Sequence, residues 1–199
     1  MVHRSKKGTI FMALGTILVL SALILVLYNR WDDQRAGKAA ADVVTQIEKQ
    51  LPNQQVSFVG QTAQTDNGKT SEFSVNGHSY IGIVKIPSLH LTLPVLNKWS
   101  YPLLRIAPCR YQGSLQKGTL IIAGHNYQRH FGLLHCLSIG DSVTFTDVNG
   151  NVYRYRVSEM ETIPKQDVKQ MESGDWDLTL FTCTLDGQRR VTIRCKQIP

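Results

Sequence analysis

The sequence predicts a mainly β protein whose strands close into a barrel with short helices, preceded by a single transmembrane helix. Three observations carry this prediction. A long charge-free apolar run lies near the start of the chain. Short segments rich in β-branched residues dominate its second part, and glycine-containing turn signals separate several of them.

The composition excludes several classes of protein. With 199 residues, of which 42% are apolar and 19% charged, the chain is neither collagen-like nor low-complexity and has room for one domain plus an appendage. Its four cysteines include no C-x-x-C pair, which argues against a zinc ribbon and a small disulfide scaffold. The net charge of +7 falls to +4 beyond the first seven residues, so we expect no nucleic-acid partner.

The apolar run covers residues 9–28 and contains no charged residue. A helix of that length extends over about 30 Å and spans a bilayer core, which predicts an uncleaved membrane anchor. Arg4, Lys6 and Lys7 outweigh the mixed charges after the run, so the positive-inside rule predicts a cytoplasmic tail at residues 1–8 and an extracellular remainder. The protein is then a single-pass plasma-membrane protein. A cleaved signal peptide is the alternative, with the alanine-rich residues 36–41 as the cleavage site.

Residues 29–76 are predicted to form a stalk and a flexible linker. The stalk, residues 30–51, carries helix-forming residues and a thin apolar stripe at Val43, Val44, Ile47 and Leu51. The following stretch is rich in Gln, Thr, Asn, Ser and Gly, which is typical of a tether. The extracellular folded domain is predicted to cover residues 77–199.

Seven segments of this domain are predicted to be strands: Tyr80–Ile86, Leu89–Leu96, Thr119–Ala123, Ser142–Thr146, Val152–Glu159, Leu178–Thr182 and Arg190–Cys195. Asn149-Gly150 and Asp186-Gly187 predict tight hairpins, because both pairs favour positive φ. Short helices are predicted at His130–Leu137 and Pro164–Met171. Seven or eight strands in about 120 residues with such turns favour a closed barrel.

Cys183 is the first candidate catalytic residue. It ends a predicted strand, and only a short turn separates it from Arg189 and Arg190. A neighbouring positive charge favours the thiolate, which is the form that attacks carbonyl carbon. The pattern therefore suits nucleophilic catalysis, and an ordinary buried cysteine with surface arginines nearby is the alternative.

His125 is the second candidate, because it directly follows an apolar strand. An imidazole at such a position can donate a proton to a leaving amine, whereas capping or packing is the alternative role. It precedes Cys183, opposite to the order in papain-like enzymes. His125, His130 and His135 recur every five residues, which matches neither one helix face nor a usual zinc pattern, so no metal site is predicted.

The other three cysteines are assigned structural roles. An extracellular location allows a disulfide between Cys109 and Cys195, with two free thiols as the alternative. Cys136 is predicted to be a small apolar packing residue.

Three motifs in order resemble those of sortases. Thr179–Cys183 is similar to the T-L-x-T-C signature of that family, and Gly118–Asn126 resembles the strand that ends in its catalytic histidine. Arg190 heads the final strand as the family arginine does, and Ile81–Pro87 resembles the opening strand. The resemblance covers roughly residues 79–195, essentially the whole predicted domain.

This resemblance implies an eight-stranded sortase barrel and a cysteine transpeptidase of a Gram-positive-type bacterium, which anchors surface proteins to the cell wall. Its substrates would be secreted proteins with a C-terminal LPxTG-like sorting signal, and its acceptor an amine of a cell-wall precursor or a pilin lysine. Cys183 would form the thioester, His125 would exchange protons with the amines, and Arg190 would hold the substrate or its oxyanion. No cofactor is implied.

Thr182 and Asn126 would border the substrate, with ordinary strand and turn roles as the alternatives. Because side chains alternate along a strand, only one of Arg189 and Arg190 can face Cys183, and Arg190 is favoured. Two other functions remain alternatives: a cysteine endopeptidase that hydrolyses the acyl-enzyme, and a tethered non-catalytic binding module. The short loop at 161–176 and the six residues between Cys183 and Arg190 leave the sortase class open.

Overall fold

The structure is a computed structural model that describes residues 6–50 and 72–199. It divides into two compact units, one that ends at Arg35 and one that extends from Ala36 to Pro199. Most of the predicted cytoplasmic tail and residues 51–71 of the predicted linker lie outside the described residues.

Helix α1 runs from Lys6 to Gln50 and begins with the apolar run. The large apolar side chains in this run, from Ile10 to Tyr28, are each more than half exposed. The helix is long and apolar enough to cross a membrane, and it is the one helix of the described chain that meets this criterion. It is therefore a candidate membrane anchor.

The last part of α1, from Ala36 onward, belongs to the second unit. Val43, Val44 and Ile47 are buried there in one cluster with Tyr80 and Leu96. These three residues of the stripe that we assigned to a stalk thus form the inner face of a helix packed on the domain, and the fourth, Leu51, lies outside the described residues. Helical periodicity predicts that one face is buried, but it does not identify the surface that covers it.

Residues 72–199 form nine strands: β1 Phe73–Val75, β2 His78–Ile86, β3 Leu91–Leu96, β4 Cys109–Gln112, β5 Leu120–Gly124, β6 Ser142–Asp147, β7 Val152–Pro164, β8 Leu178–Cys183 and β9 Arg189–Ile198. The short helices are α2 Tyr101–Leu104 and α3 Val168–Glu172, and single 3-10 turns lie at Pro87–Leu89 and Leu134–Cys136.

Eight of these strands close a barrel in the order β2-β3-β4-β5-β8-β9-β7-β6, because β6 pairs back onto β2. Strand β1 pairs with β2 outside this ring. Two neighbouring pairs are parallel, β3 with β4 and β5 with β8, and the remaining pairs are antiparallel. The predicted closed eight-stranded barrel is confirmed.

Local differences from the prediction have simple physical causes. Strands β1 and β4 were not predicted, since three or four residues are too few to display an alternating pattern. The helix predicted at His130–Leu137 is only the 3-10 turn. The helix predicted from Pro164 begins at Val168, because Pro164 still pairs in β7 and the Asp167 side chain caps α3 by accepting a hydrogen bond from the Gln170 amide at 3.0 Å.

Both predicted hairpins are present, but the predicted two-residue turns are wrong: four residues connect β6 to β7 and five connect β8 to β9, and only the glycine of each pair has a positive φ. Gly150 lies between β6 and β7 with φ +87°, and Gly187 lies between β8 and β9 with φ +70°. The second hairpin brings Cys183 and Arg190 into register.

The barrel interior is filled by alternate residues of the strands, such as Ile122, Leu180 and Ile193. A separate cluster outside it contains Ile121, Ala123, Ile163, Met171 and Phe181, and it forms the floor of the candidate site.

Candidate active site

The ends of two parallel strands bring the first two candidates to the same edge of the barrel. Strands β5 and β8 pair so that Ala123 lies opposite Phe181 and Gly124 opposite Thr182. The Thr182 hydroxyl donates to the Gly124 carbonyl at 2.9 Å and ties the two ends together. The next residues along the two strands are His125 and Cys183, and both are half-buried.

The β8–β9 hairpin brings the third candidate to the thiol. Cys183 and Arg190 are directly opposite in the antiparallel register, so their side chains lie on the same face of the sheet. Arg189 is one position away and exposed. The Arg190 guanidinium is held at the turn, where its Nη1 donates to the carbonyls of Gly187 at 3.2 Å and Arg189 at 2.9 Å. The structure therefore puts Arg190, not Arg189, across from Cys183.

A groove of about 160 Å³ opens beside Cys183 and Arg190, and His125 does not line it. Cys183 and Arg190 line one part of it, and Pro164, Lys165 and α3 form a wall. The remaining lining is largely apolar and comes from Trp99, Tyr101, Leu104, Tyr111, Ala123, Gly124 and Phe181. A groove of this character suits a mainly apolar ligand with a few polar atoms.

Aromatic rings form a continuous row along the groove. Tyr101 is exposed and meets Trp99 edge-on at 5.8 Å, Trp99 meets Tyr111 at 5.4 Å, and Tyr111 meets the buried Phe181 edge-on at 5.3 Å. Burial, together with the Glu172 carboxylate, raises the pKa of Tyr111, and the charge of Arg190 opposes this increase. Tyr111 thus lies within electrostatic reach of the arginine that faces Cys183.

The His125 ring is held by a compact loop. It stacks on Tyr127 with ring centroids 3.9 Å apart. The Phe131 amide donates to the His125 carbonyl at 3.1 Å, and the Phe131 ring is fully buried. A Cβ on Gly124 would lie 2.4 Å from that ring, so the chain can pass here only as glycine. The loop therefore restricts the position of the imidazole.

The two predicted substrate-binding residues occupy different environments. Thr182 is 3% exposed and its hydroxyl bonds to Gly124, which suits a residue that orients the strand ends. Asn126 is half-buried beside His125. A contact of either residue with substrate stays a prediction.

The remaining cysteines do not form the disulfide that the sequence allows. All four cysteines are free, and Cys109 and Cys195 are buried in two different clusters, which keeps their thiols apart. Cys136 is exposed, so its predicted packing role is wrong. It ends a single 3-10 turn whose buried residue is Leu134.

Among the described residues, no three His, Cys, Asp or Glu side chains are grouped as a metal site would require.

Sequence reasoning missed several residues of this site. Trp99 lies in a loop, Tyr101 begins the four-residue helix α2, and Tyr111 lies in the short strand β4; none of these segments is long enough to show a pattern. Tyr127 is missed because it follows the end of β5, in a loop where no periodic pattern relates it to His125. Arg194 has a signal, since it follows Arg190 by four residues and so lies on the same strand face.

Comparisons with known proteins find relatives of this chain. A family model for the sortase domain matches residues 84–198. Over 198 residues the chain is 26% identical to Sortase A of Bacillus anthracis, and the match covers 94% of both chains.

Solved structures are similar to the barrel. Sortase C1 of Streptococcus agalactiae matches with a TM-score of 0.56 and 25% identity over 65% of this chain and 73% of its own. The Sortase D5 transpeptidase of Clostridium perfringens matches with a TM-score of 0.60 and 15% identity over 81% and 99%. Sortase C-3 of Streptococcus pneumoniae matches with a TM-score of 0.56 and 20% identity over 83% and 84%. The last two comparisons show the fold alone.

Proposed function

The chain belongs to the sortase family, and we propose that it is a membrane-anchored cysteine transpeptidase that cleaves an LPxTG-like sorting signal and transfers the protein to an amine. The observation that carries this proposal is the register pairing of Cys183 with Arg190 on the lining of an apolar groove. His125 follows the neighbouring parallel strand at the same edge.

The Cys183 thiolate attacks the carbonyl carbon of the Thr in the sorting signal. The tetrahedral intermediate places negative charge on the former carbonyl oxygen, and the Arg190 guanidinium stabilises it. The imidazolium of His125 protonates the departing amine of the next residue as the C–N bond breaks, which leaves a thioester.

Resolution of the thioester repeats these roles in reverse. An incoming amine loses its proton to His125 and attacks the thioester carbonyl, and Cys183 leaves as the thiolate. The acceptor class is an amine of a cell-wall precursor or a pilin lysine. Thr182 and Asn126 border the substrate in this proposal, and no cofactor takes part.

The N-terminal helix supports a location in the plasma membrane. Positive residues before the apolar run favour a cytoplasmic N-terminus and an extracellular barrel. Secreted proteins with C-terminal sorting signals would meet the enzyme there.

The test uses the full chain in detergent micelles, incubated with a library of LPxTG-type peptides and followed by intact-mass spectrometry. We expect an acyl adduct on Cys183 that is absent in Cys183→Ala and present in the matched Cys136→Ala control. Addition of a glycine peptide should convert the adduct into a new amide product.

Three outcomes oppose the proposal. Exclusive hydrolysis at saturating amine would identify a cysteine endopeptidase. Peptide binding that survives in Cys183→Ala, without any adduct in the unsubstituted protein, would identify a binding module. No adduct and no binding across the library would contradict an LPxTG-like substrate.

A further inference from the structure

A second arginine shares the strand face that carries Arg190. On β9, Arg190, Thr192 and Arg194 face the same side, opposite Cys183, Phe181 and Thr179 of β8. Arg194 is 2% exposed and is the largest fully buried side chain of the described chain. A guanidinium rarely lies this deep without several partners, because removal of a charge from water is costly.

The partners of Arg194 come mainly from the segment that forms one wall of the groove. Its Nε donates to Glu161 Oε1 at 2.7 Å. Its Nη1 donates to the Met171 carbonyl at 2.8 Å and the Thr179 hydroxyl at 3.1 Å, and its Nη2 donates to the Gln170 carbonyl at 2.7 Å. The other oxygen of Glu161 accepts from Gln170 Nε2 at 2.9 Å. These bonds join β7, β8 and β9 to α3.

Helix α3 depends on such contacts. It has only five residues, and a helix that short is not stable by itself in water. Asp167 caps its first turn, and Arg194 binds the carbonyls of its last turn, which have no partner within the helix. A cation at this end also opposes the negative end of the helix dipole.

Helix α3 forms part of the groove itself. Asp167, Val168 and Met171 line the groove, and Met171 is 5% exposed in the cluster beneath it. Arg194 does not line the groove. Any effect of Arg194 on a bound peptide therefore passes through the position of α3.

We propose that Arg194 is a positioning residue that holds α3 as a wall of the substrate groove and thereby sets the affinity for the sorting peptide. This inference rests on the proposed function, because it assigns the wall to peptide binding. The reaction at Cys183 does not require Arg194, since Cys183 pairs with Arg190, four residues before Arg194 on β9.

The test compares the unsubstituted full chain with Arg194→Lys and Glu161→Gln, all in detergent micelles. Lysine keeps the positive charge, but it lacks the planar guanidinium group with which Arg194 binds two carbonyls and a carboxylate at once. We expect KM for the peptide to increase about tenfold in Arg194→Lys and about threefold in Glu161→Gln, with kcat within about twofold. Alkylation of Cys183 by iodoacetamide should keep its rate within about twofold, because a small reagent does not use the wall.

Hydrogen exchange supplies a readout that needs no activity. The amides of residues 168–172 should exchange about tenfold faster in Arg194→Lys, while those of β5 and β8 stay protected. Arg156→Lys is the matched control, because Arg156 is an exposed strand arginine of β7 that donates to the Gly140 carbonyl at 3.0 Å. That variant should leave KM, kcat, the alkylation rate of Cys183 and the amide exchange of residues 168–172 unchanged.

Two results would overturn the inference: KM and α3 exchange equal to those of the Arg156→Lys control, or a loss of kcat together with slower alkylation of Cys183. If Arg194→Lys does not fold, Glu161→Gln decides by the same measurements. Failure of the unsubstituted protein to react with any peptide would instead contradict the proposed function, and the exchange of residues 168–172 would still decide whether Arg194 holds α3.

Discussion

At the residue scale, the four thiols differ in their surroundings. Cys183 is half-buried at the end of β8 opposite a guanidinium, and Cys136 is exposed. Burial raises the pKa of both Cys109 and Cys195 to about 12. These two thiols stay protonated at neutral pH and are shielded from reagents, so they cannot serve as nucleophiles.

We therefore predict a selective labelling pattern. Iodoacetamide at pH 8 should modify Cys183 and Cys136 in the folded protein and leave Cys109 and Cys195 intact until urea unfolds the chain. Peptide mapping by mass spectrometry measures the pattern, and Cys136→Ser should lose one of the two early labels. Early labelling of Cys195 would contradict the burial on which the argument rests.

The positions of Cys183, His125 and Arg190 at or next to strand ends could be predicted from the residues, because the adjoining segments have recognisable β patterns. Their catalytic roles were implied by the resemblance to sortases and stay predictions. Alternation required that only one of Arg189 and Arg190 faces Cys183, and the resemblance to sortases favoured Arg190. The β8–β9 register pairs Arg190 with Cys183. The support of His125 by Tyr127 and of α3 by Arg194 could not be predicted, because both depend on loop conformations that no periodic pattern encodes.

At the element scale, α1 combines two environments in one continuous helix. Its apolar start exposes large side chains, whereas Val43, Val44 and Ile47 near its end are buried in the barrel unit. Local periodicity identified both segments. It did not show that the second is part of the domain, since the strands that cover it lie elsewhere in the sequence.

This packing predicts a large effect of truncation. A chain that begins at residue 52 should have a free energy of unfolding about 3–6 kcal/mol lower than one that begins at residue 36, because it lacks three buried aliphatic side chains and exposes the barrel residues that they cover. Urea titration followed by fluorescence measures the difference. Equal stability of the two chains would contradict the packing of the helix on the barrel.

The matched control keeps the helix and changes its faces separately. In the chain from residue 36, Val43→Ala with Ile47→Ala should reproduce most of the loss. Thr45→Ala with Glu48→Ala, on the exposed face of the same helix, should change the free energy of unfolding by less than about 0.5 kcal/mol.

At the scale of the whole molecule, closure of the barrel buries thiol and phenol groups in their protonated, uncharged form. Besides the thiols of Cys109 and Cys195, burial raises the pKa of Tyr80 and Tyr155. Each group holds its proton in the folded state at a pH where the unfolded chain has lost it. The two buried thiols make their full contribution to the free energy of unfolding below pH 9.0, which is the ordinary pKa of a thiol. This contribution declines as the pH approaches about 12, the pKa of both thiols in the folded protein.

We predict that the free energy of unfolding decreases between pH 9 and pH 11, with a contribution of about 2–3 kcal/mol from each buried thiol. Urea titrations at several pH values measure this slope. Cys195→Ala should reduce it, whereas Cys136→Ala, which removes an exposed thiol, should leave it unchanged. An identical slope in all three proteins would contradict the proposed cause.

The sequence alone determined the apolar helix, most strands, both hairpins and the order of the three candidate catalytic residues, because each depends on neighbours within a few positions. Tertiary structure decided which residues that are far apart in the sequence contact each other. These contacts close the ring through β2 and β6, pack the end of α1, keep Cys109 apart from Cys195, and bind Arg194 to α3. The physical reason is that these contacts join residues far apart in the chain, and their partners are chosen only when the barrel closes and the buried polar groups must find hydrogen bonds.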